Sequence, residues 1–327
     1  MTTGHGMTDD RRAPADQGMT DDHGTAGDDR RTPGDRRLGL HVFDLDGTLL
    51  RSDATLSDYA RDGLNSLLDS GTALTVASAR SAVAIRELLA GVRLTLPVVE
   101  LNGAFLTDLA TGRHLAHATL GPETAARALD ALARLAAEPV LTTWDGTADR
   151  VLHGPCGDPA TAWYIAEKRA YGDPRLASCR DPYDGVAGVR TAAVIAFVPD
   201  ERATAATAAL AAELGDSAGV MAAANRYVPG WTEIQIAHPE AEKGRAVRRL
   251  AREAGLDGAG LTVYGDHLND LPMFAVAERT VAPANAHPEV LARASAVTAA
   301  NDEDGVVRYL LDGHLADGRL ADGAAPC

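Results

Sequence analysis

Asp44-Leu45-Asp46-Gly47-Thr48 follows directly on an apolar run that begins at Leu40. In extended backbone, residues two apart project to the same side, so the carboxylates of Asp44 and Asp46 can converge on one point. Close carboxylates repel, and a cation or a shared proton normally resolves the repulsion. Gly47 lets the chain turn sharply and leaves backbone N–H groups free to hold an anion. An ordinary strand ending in an Asp-Gly turn would contain the same residues, so the fragment alone decides nothing. A second acidic cluster adds weight, because Tyr264-Gly265-Asp266-His267-Leu268-Asn269-Asp270 also follows an apolar strand. Two strand ends then offer carboxylates with no Cys or His cluster beside them, and such hard oxygen ligands indicate Mg2+. The lone His267 reads as a surface or substrate-edge residue, with metal ligation as the alternative.

These side chains need elements to position them. The run from Leu40 to Leu45 has the composition of a strand buried on both faces. A helix pattern over Ser57–Asp69, an apolar strand over Ala73–Ala77, a helix over Ser81–Leu89 and a strand over Pro97–Glu100 come next. That rhythm predicts a parallel sheet covered by helices, with ligands at the carboxyl ends of the strands. Asp44, Ser78 and Asn102 all fall at or just beyond such ends. Between about His117 and Gly230 the texture changes to a helix over Pro122–Ala136, paired strands around Asp145-Gly146 and a helix near Thr161–Ala170. The parallel pattern resumes with a helix over Glu242–Ala254 and a strand over Leu261–Tyr264. The expected fold is therefore α/β: a Rossmann-like parallel-sheet core over 38–117 and 231–327 with an inserted α+β cap domain over 118–230. Residues 1–37 are rich in Asp, Arg, Gly and Thr and poor in aliphatic residues, which predicts a disordered tail.

Composition narrows the partners. A chain of 327 residues with 46% hydrophobic content can build two modest cores. The formal net charge of -15 disfavours a nucleic-acid partner, which needs a basic stripe. No apolar run approaches the roughly 20 residues that span a bilayer, and no basic-then-apolar export signal opens the chain. A cytoplasmic protein without membrane contact is expected; its oligomeric state is not legible. Cys156, Cys179 and Cys327 are too few and too irregularly spaced for a disulfide framework or a four-ligand zinc site.

Taken in order, the motifs resemble those of the haloacid dehalogenase superfamily of phosphotransferases, specifically the Cof-type hydrolases, whose large cap is inserted after the second motif. Asp44 and Asp46 match the first motif and Ser78, in Val76-Ala77-Ser78-Ala79-Arg80, the second. Lys243, in Glu242-Lys243-Gly244-Arg245, matches the third, and Gly265-Asp266 with Asn269-Asp270 the fourth. The likeness continues through Leu101-Asn102-Gly103-Ala104, Asn285-Ala286 and the segment Asn301 to Val306, covering the chain after the tail. Two positions depart from the pattern. Ala79 stands where the family usually has Gly, and Pro283-Ala284 replaces the usual Met-Gly; these bear on Arg80 and Asn285.

The resemblance implies a Mg2+-dependent phosphatase acting on a small-molecule phosphate ester. Asp44 would be the nucleophile that forms an aspartyl-phosphate, and Asp46 the acid and base. Asp44, the backbone carbonyl of Asp46 and Asp266 would hold the metal, with Asp270 acting through a metal water. Gly47, Ser78, Lys243 and Asn269 would hold the phosphate; Arg80, Asn102 and Asn285 are candidates for substrate or supporting contacts. Trp144, His153, Trp163, Tyr164, Tyr171, Tyr183 and Arg190 are offered by the cap, either to substrate or to the cap's own core. On family grounds a sugar or aminosugar phosphate is the first expectation and a nucleotide or cofactor the second. A phosphomutase and a non-catalytic phospho-metabolite-binding regulator are the alternatives.

Overall fold

Leu40, Val42 and Phe43 are wholly buried because β1 (Leu40–Phe43) lies inside a parallel sheet. The computed structural model describes residues 39–170, 172–257 and 260–316, so the expected disordered tail over 1–37 lies outside the described residues. After β1 come α1 (Asp58–Asp69), β2 (Ala73–Val76) and α2 (Ala82–Leu88). Ser57 caps α1 by accepting from the Ala60 N–H, and Ser81 caps α2 by accepting from that of Ala84. The short strands β3 (Val98–Glu100), β4 (Phe105–Thr107) and β5 (His114–His117) form an antiparallel sheet. A single parallel bridge, Ala77 to Val99, ties it to the end of β2.

The chain then builds a second layer from α3 (Pro122–Arg134), β6 (Val140–Trp144), β7 (Asp149–His153), α4 (Pro159–Ala170), β8 (Leu176–Ser178) and α5 (Pro182–Val186). It continues through β9 (Arg190–Pro199), α6 (Asp200–Leu214), β10 (Gly219–Ala224) and β11 (Trp231–Ala237). The six strands are ordered β10-β11-β9-β6-β7-β8, antiparallel except between β7 and β8. Period-two alternation divides the faces of this sheet. Leu141, Val194, Ala196, Val198, Ile234 and Ile236 pack with Leu129, Leu132, Leu210 and Leu214 of α3 and α6. Ala193, Ile195 and Phe197 pack on the opposite face with Ala160, Tyr164 and Trp231. Trp231–Ala237, which the sequence rhythm gives to the core, pairs here with β9 and β10.

The remaining elements are α7 (Lys243–Glu253), β12 (Leu261–Tyr264), α8 (Leu271–Phe274), β13 (Arg279–Pro283), α9 (Pro288–Leu291), β14 (Ala296–Thr298) and α10 (Gly305–Ala316). They complete a five-stranded parallel sheet ordered β14-β13-β12-β1-β2. The fold is thus α/β, a parallel-sheet core with an added sheet-containing cap region. No helix among the described residues is long and apolar enough to cross a membrane.

Candidate active site

Parallel pairing of β1 with β12 sets Phe43 beside Tyr264, so the chain leaves both strands at the same edge. Asp44 and Asp266 emerge there together, as the alternation of strands and acidic turns predicts. Lys243 opens α7 and is almost wholly buried. Its Nζ donates to Asp44 Oδ1 at 2.6 Å and to Asp270 Oδ1 at 2.7 Å. The other Asp270 oxygen accepts from the backbone N–H groups of Asp266 and His267, both at 2.9 Å. Gly244 permits this approach, because a Cβ there would lie 2.2 Å from the Pro272 carbonyl oxygen.

Burial alone would lower the Lys243 ammonium, but Asp270 and Asp44 hold it above its ordinary value. Burial pushes the Asp44 carboxyl up, and the adjacent ammonium opposes that shift. Asp266 is likewise raised by burial and by Asp270, against Arg226 and the Thr48 hydroxyl. One oxygen each from Asp44, Asp266 and Asp270 lie within 4.8 Å of one another. Three buried carboxylates that close are met by two cations, Lys243 and Arg226, which leaves room for more positive charge, and an all-oxygen donor set suits Mg2+. The residues therefore fit the metal.

Asp46 faces a different partner. Its carboxylate takes a two-pronged contact from Arg80, Nε at 2.7 Å and Nη2 at 2.8 Å, so the side chain stands outside the three-carboxylate cluster. Tyr227 OH lies 3.1 Å from Arg80 Nη2 and 3.4 Å from Asp46 Oδ1. Arg80 also reaches Glu167 of α4 at 3.3 Å. Gly47 turns with φ +85°, and a Cβ there would lie 2.4 Å from Asp266 Oδ2. Thr48 Oγ1 donates to the other Asp266 oxygen at 3.0 Å.

Of the remaining predicted residues, Ser78 is buried beside the site and its Oγ accepts from the Arg80 N–H. Asn102, with φ +55°, donates to Gln235 Oε1 at 2.7 Å and accepts from Asn269 Nδ2 at 3.0 Å. Asn285 instead braces the first turn from outside: Nδ2 donates to the Gly47 carbonyl, while Oδ1 accepts from the Asn301 N–H.

A cavity of about 500 Å³ opens over these groups. Asp46, Arg80, Lys243, His267 and Asn269 line its floor side, and Trp163, Tyr164, Met221, Tyr227 and Glu233 its cap side. Trp163 and Tyr164 thus meet the cavity as candidates from sequence. Trp144 packs with Phe105, His114 and His117, while Tyr183 donates to Asp130 on the surface. His153 bonds the Gly154 carbonyl, Arg190 is exposed, and Tyr171 lies outside the described residues. Sequence reasoning missed Thr48, Glu167, Gln235 and the β10–β11 turn. That turn is folded by Asn225 Oδ1, which accepts from the N–H groups of Tyr227 and Val228. It sends Arg226 Nη2 to 3.0 Å from Asp266 Oδ2.

A family model described as haloacid dehalogenase-like hydrolase matches residues 41–310. The chain belongs to that family. It is a phosphoric monoester hydrolase. The 5-amino-6-(5-phospho-D-ribitylamino)uracil phosphatase YwtE of Bacillus subtilis is 27% identical over 297 residues, covering 84% of this chain and 99% of that protein. The HMP-PP phosphatase of Cronobacter sakazakii is 26% identical over 267 residues, 78% of this chain and 87% of its own. Among solved structures, a haloacid dehalogenase-like hydrolase from Bacteroides thetaiotaomicron superposes with a TM-score of 0.69 at 21% identity, covering 85% of this chain and 99% of that one. At that identity the likeness speaks for the fold alone.

Proposed function

We propose that this phosphatase hydrolyses a small phosphorylated metabolite in a Mg2+-dependent reaction, through an aspartyl-phosphate on Asp44. The observation that carries the reading is the buried constellation in which Lys243 joins Asp44 to Asp270 with Asp266 alongside. Asp44, the Asp46 carbonyl and Asp266 would hold Mg2+, with Asp270 behind them fixing Lys243 and the 266–267 turn. Bound there, Mg2+ supplies the positive charge that lets a carboxylate approach a phosphate dianion.

The chain's own groups do the rest. Lys243 holds Asp44 by one oxygen, which leaves the other for in-line attack on phosphorus. Ser78, Asn269 and the N–H groups around Gly47 would hold the phosphate oxygens as charge builds on them. Asp46 would protonate the leaving oxygen and then take a proton from the water that opens the aspartyl-phosphate. It must first exchange the Arg80 fork for the substrate, so Arg80 acts as a keeper of the Asp46 side chain. Among the described residues, the segment 118–237 would serve as lid over a core formed by 39–117 and 238–316. A cytoplasmic location is part of the same proposal.

A sugar or aminosugar phosphate fits the cavity's volume and its mixed polar and aromatic walls. A phosphorylated ribitylaminouracil is the second reading, favoured by the named activity of the Bacillus subtilis relative. Phosphate release from p-nitrophenyl phosphate and a sugar-phosphate panel, with Mg2+ and with chelator, tests the proposal. Asp44→Asn should keep the fold and lose all turnover. Near-normal release by that variant, or full activity in chelator, overturns it; phosphate passed back to substrate without release indicates a mutase.

A further inference from the structure

Glu233 stands on β11 between two apolar cross-strand neighbours, Phe197 on β9 and Ala223 on β10. Ile234 and Ile236 turn into the packed face of the sheet, whereas Glu233 and Gln235 turn to the cavity. Among the described residues no group hydrogen-bonds the Glu233 carboxyl. Lys168 attracts it from α4 and Glu167 repels it, and Lys168 itself rests its Nζ over the Tyr164 ring at 4.2 Å. Gln235 is already fixed by Asn102. Asn225, whose Nδ2 is buried with no partner, lines the same cavity.

Glu233 is half-buried on the cavity wall, and a carboxyl there that makes no hydrogen bond within its own fold is open to a donor on a bound molecule. Burial pushes this one up to about 7, so it stands ready to be ionised by a cationic partner at neutral pH. The floor of the same cavity holds the phosphate machinery, and the roof therefore meets the far end of whatever the phosphate is attached to. We infer that Glu233 is a specificity residue, accepting a hydrogen bond from an amino group on the leaving portion of the substrate. The inference rests on the phosphatase reading above and narrows it to amine-bearing phosphate esters. An aminosugar and an amino-substituted heterocycle both present that chemistry. A hydroxyl offers one donor and no charge. An amino group offers at least two donors and, when protonated, a charge that offsets the Glu233 carboxylate.

The test compares kcat/KM for matched pairs: glucosamine 6-phosphate against glucose 6-phosphate, and cytidine against uridine 5′-monophosphate. A charge-assisted hydrogen bond predicts that the parent prefers the amino member of one pair by roughly tenfold to a hundredfold; which pair responds tells sugar from heterocycle. In Glu233→Gln, which keeps an acceptor oxygen but loses the charge, that ratio should fall several-fold; in Glu233→Leu it should fall to about one, and Glu233→Asp should retain part of it. A ratio near one in the parent for both pairs, or one unchanged in Glu233→Gln, overturns the inference. Product inhibition of the parent gives a reading that needs no variant. Glucosamine or cytidine should inhibit about tenfold more strongly than glucose or uridine, and equal inhibition in both pairs counts against the inference. Hydrolysis of p-nitrophenyl phosphate by the parent separates the two levels, since its absence removes the phosphatase reading itself.

Discussion

Lys243 holds two carboxylates with one ammonium at 2.6 and 2.7 Å in a space that water does not reach. An ammonium is compact and can direct its N–H bonds to two oxygens in different directions, whereas a guanidinium is wide, planar and fixed in its fork. Lys243→Arg should therefore displace Asp44, and misplacement of about 1 Å costs on the order of a hundredfold in rate. Steady-state kinetics on the pair checks this; kcat and KM within about twofold of the parent would show that Lys243 lies outside the reaction. Lys243→Met should also cost stability, about 3–5 kcal/mol, because it leaves buried carboxylates without their partner. Urea denaturation of parent and variant measures that. Lysine was legible here because the chain has 31 Lys and Arg residues and only Lys168 and Lys243 are lysines. Thr48 was not, since a threonine after Asp-Gly is unremarkable until the fold sets Asp266 beside it.

Helix α4, strands β10 and β11 and the turn between them carry cap groups to the site. Arg226 in the turn donates to Asp266 Oδ2, on one of the three carboxylates that would hold a metal ion. Arg226→Ala should lower the Mg2+ concentration for half-maximal activity several-fold, because a competing cation is removed. It should also raise KM, because positive charge beside the phosphate is lost; Mg2+ titrations at saturating substrate separate the two effects, and no change in either makes the contact incidental. On β11, Glu233 has a folded value of about 7 against an ordinary value near 4.5. Between those values the folded chain binds more protons than the unfolded one, so this group's effect on stability becomes more unfavourable as pH rises. Tm of Glu233→Gln minus Tm of the parent should accordingly climb from about pH 5 to pH 7 and then level off. A difference that stays flat would show that the carboxyl titrates normally in the fold. β1 and β12 were readable from their apolar runs and the aspartates that follow them, and β2 from its run alone; β3, expected in the same parallel sheet, pairs antiparallel with β4 instead, and β13 and β14 carry no such signal. The membership of β11 was not readable, because Trp231–Ala237 has the composition of any buried strand and its partners lie elsewhere in the chain. Nothing local marks Arg226 or Tyr227 either, in a chain so rich in arginine.

At the scale of the molecule, polar contacts join the parallel-sheet core to the cap region around the cavity. Arg226 meets Asp266, Arg80 meets Glu167, and the buried Arg175 bonds Asp173, Asp149 and the Ser81 hydroxyl that caps α2. Besides the direct Arg226 contact, a relay from cap strand to acidic loop runs Gln235 to Asn102 to Asn269, at 2.7 and 3.0 Å. Asn102 is therefore more than a second-motif neighbour: it receives the cap on one side and fixes the loop of Asp266 and Asp270 on the other. If closure positions Asn269, breaking the chain at either link should have the same consequence. Gln235→Ala removes only the cap link. Asn102→Ala removes both links and also puts alanine at φ +55°, which adds a backbone penalty of roughly 1–2 kcal/mol. A double-mutant cycle cancels that penalty, because it occurs with and without Gln235. The expected coupling in kcat/KM is about 0.5–1.5 kcal/mol, the net worth of one neutral hydrogen bond. Because the bond is part of the fold at 2.7 Å, the same cycle run on stability should show coupling of the same sign. Strict additivity in kcat/KM would mean that the cap and the acidic loop act independently, and would leave Asn102 with a purely local role in its turn.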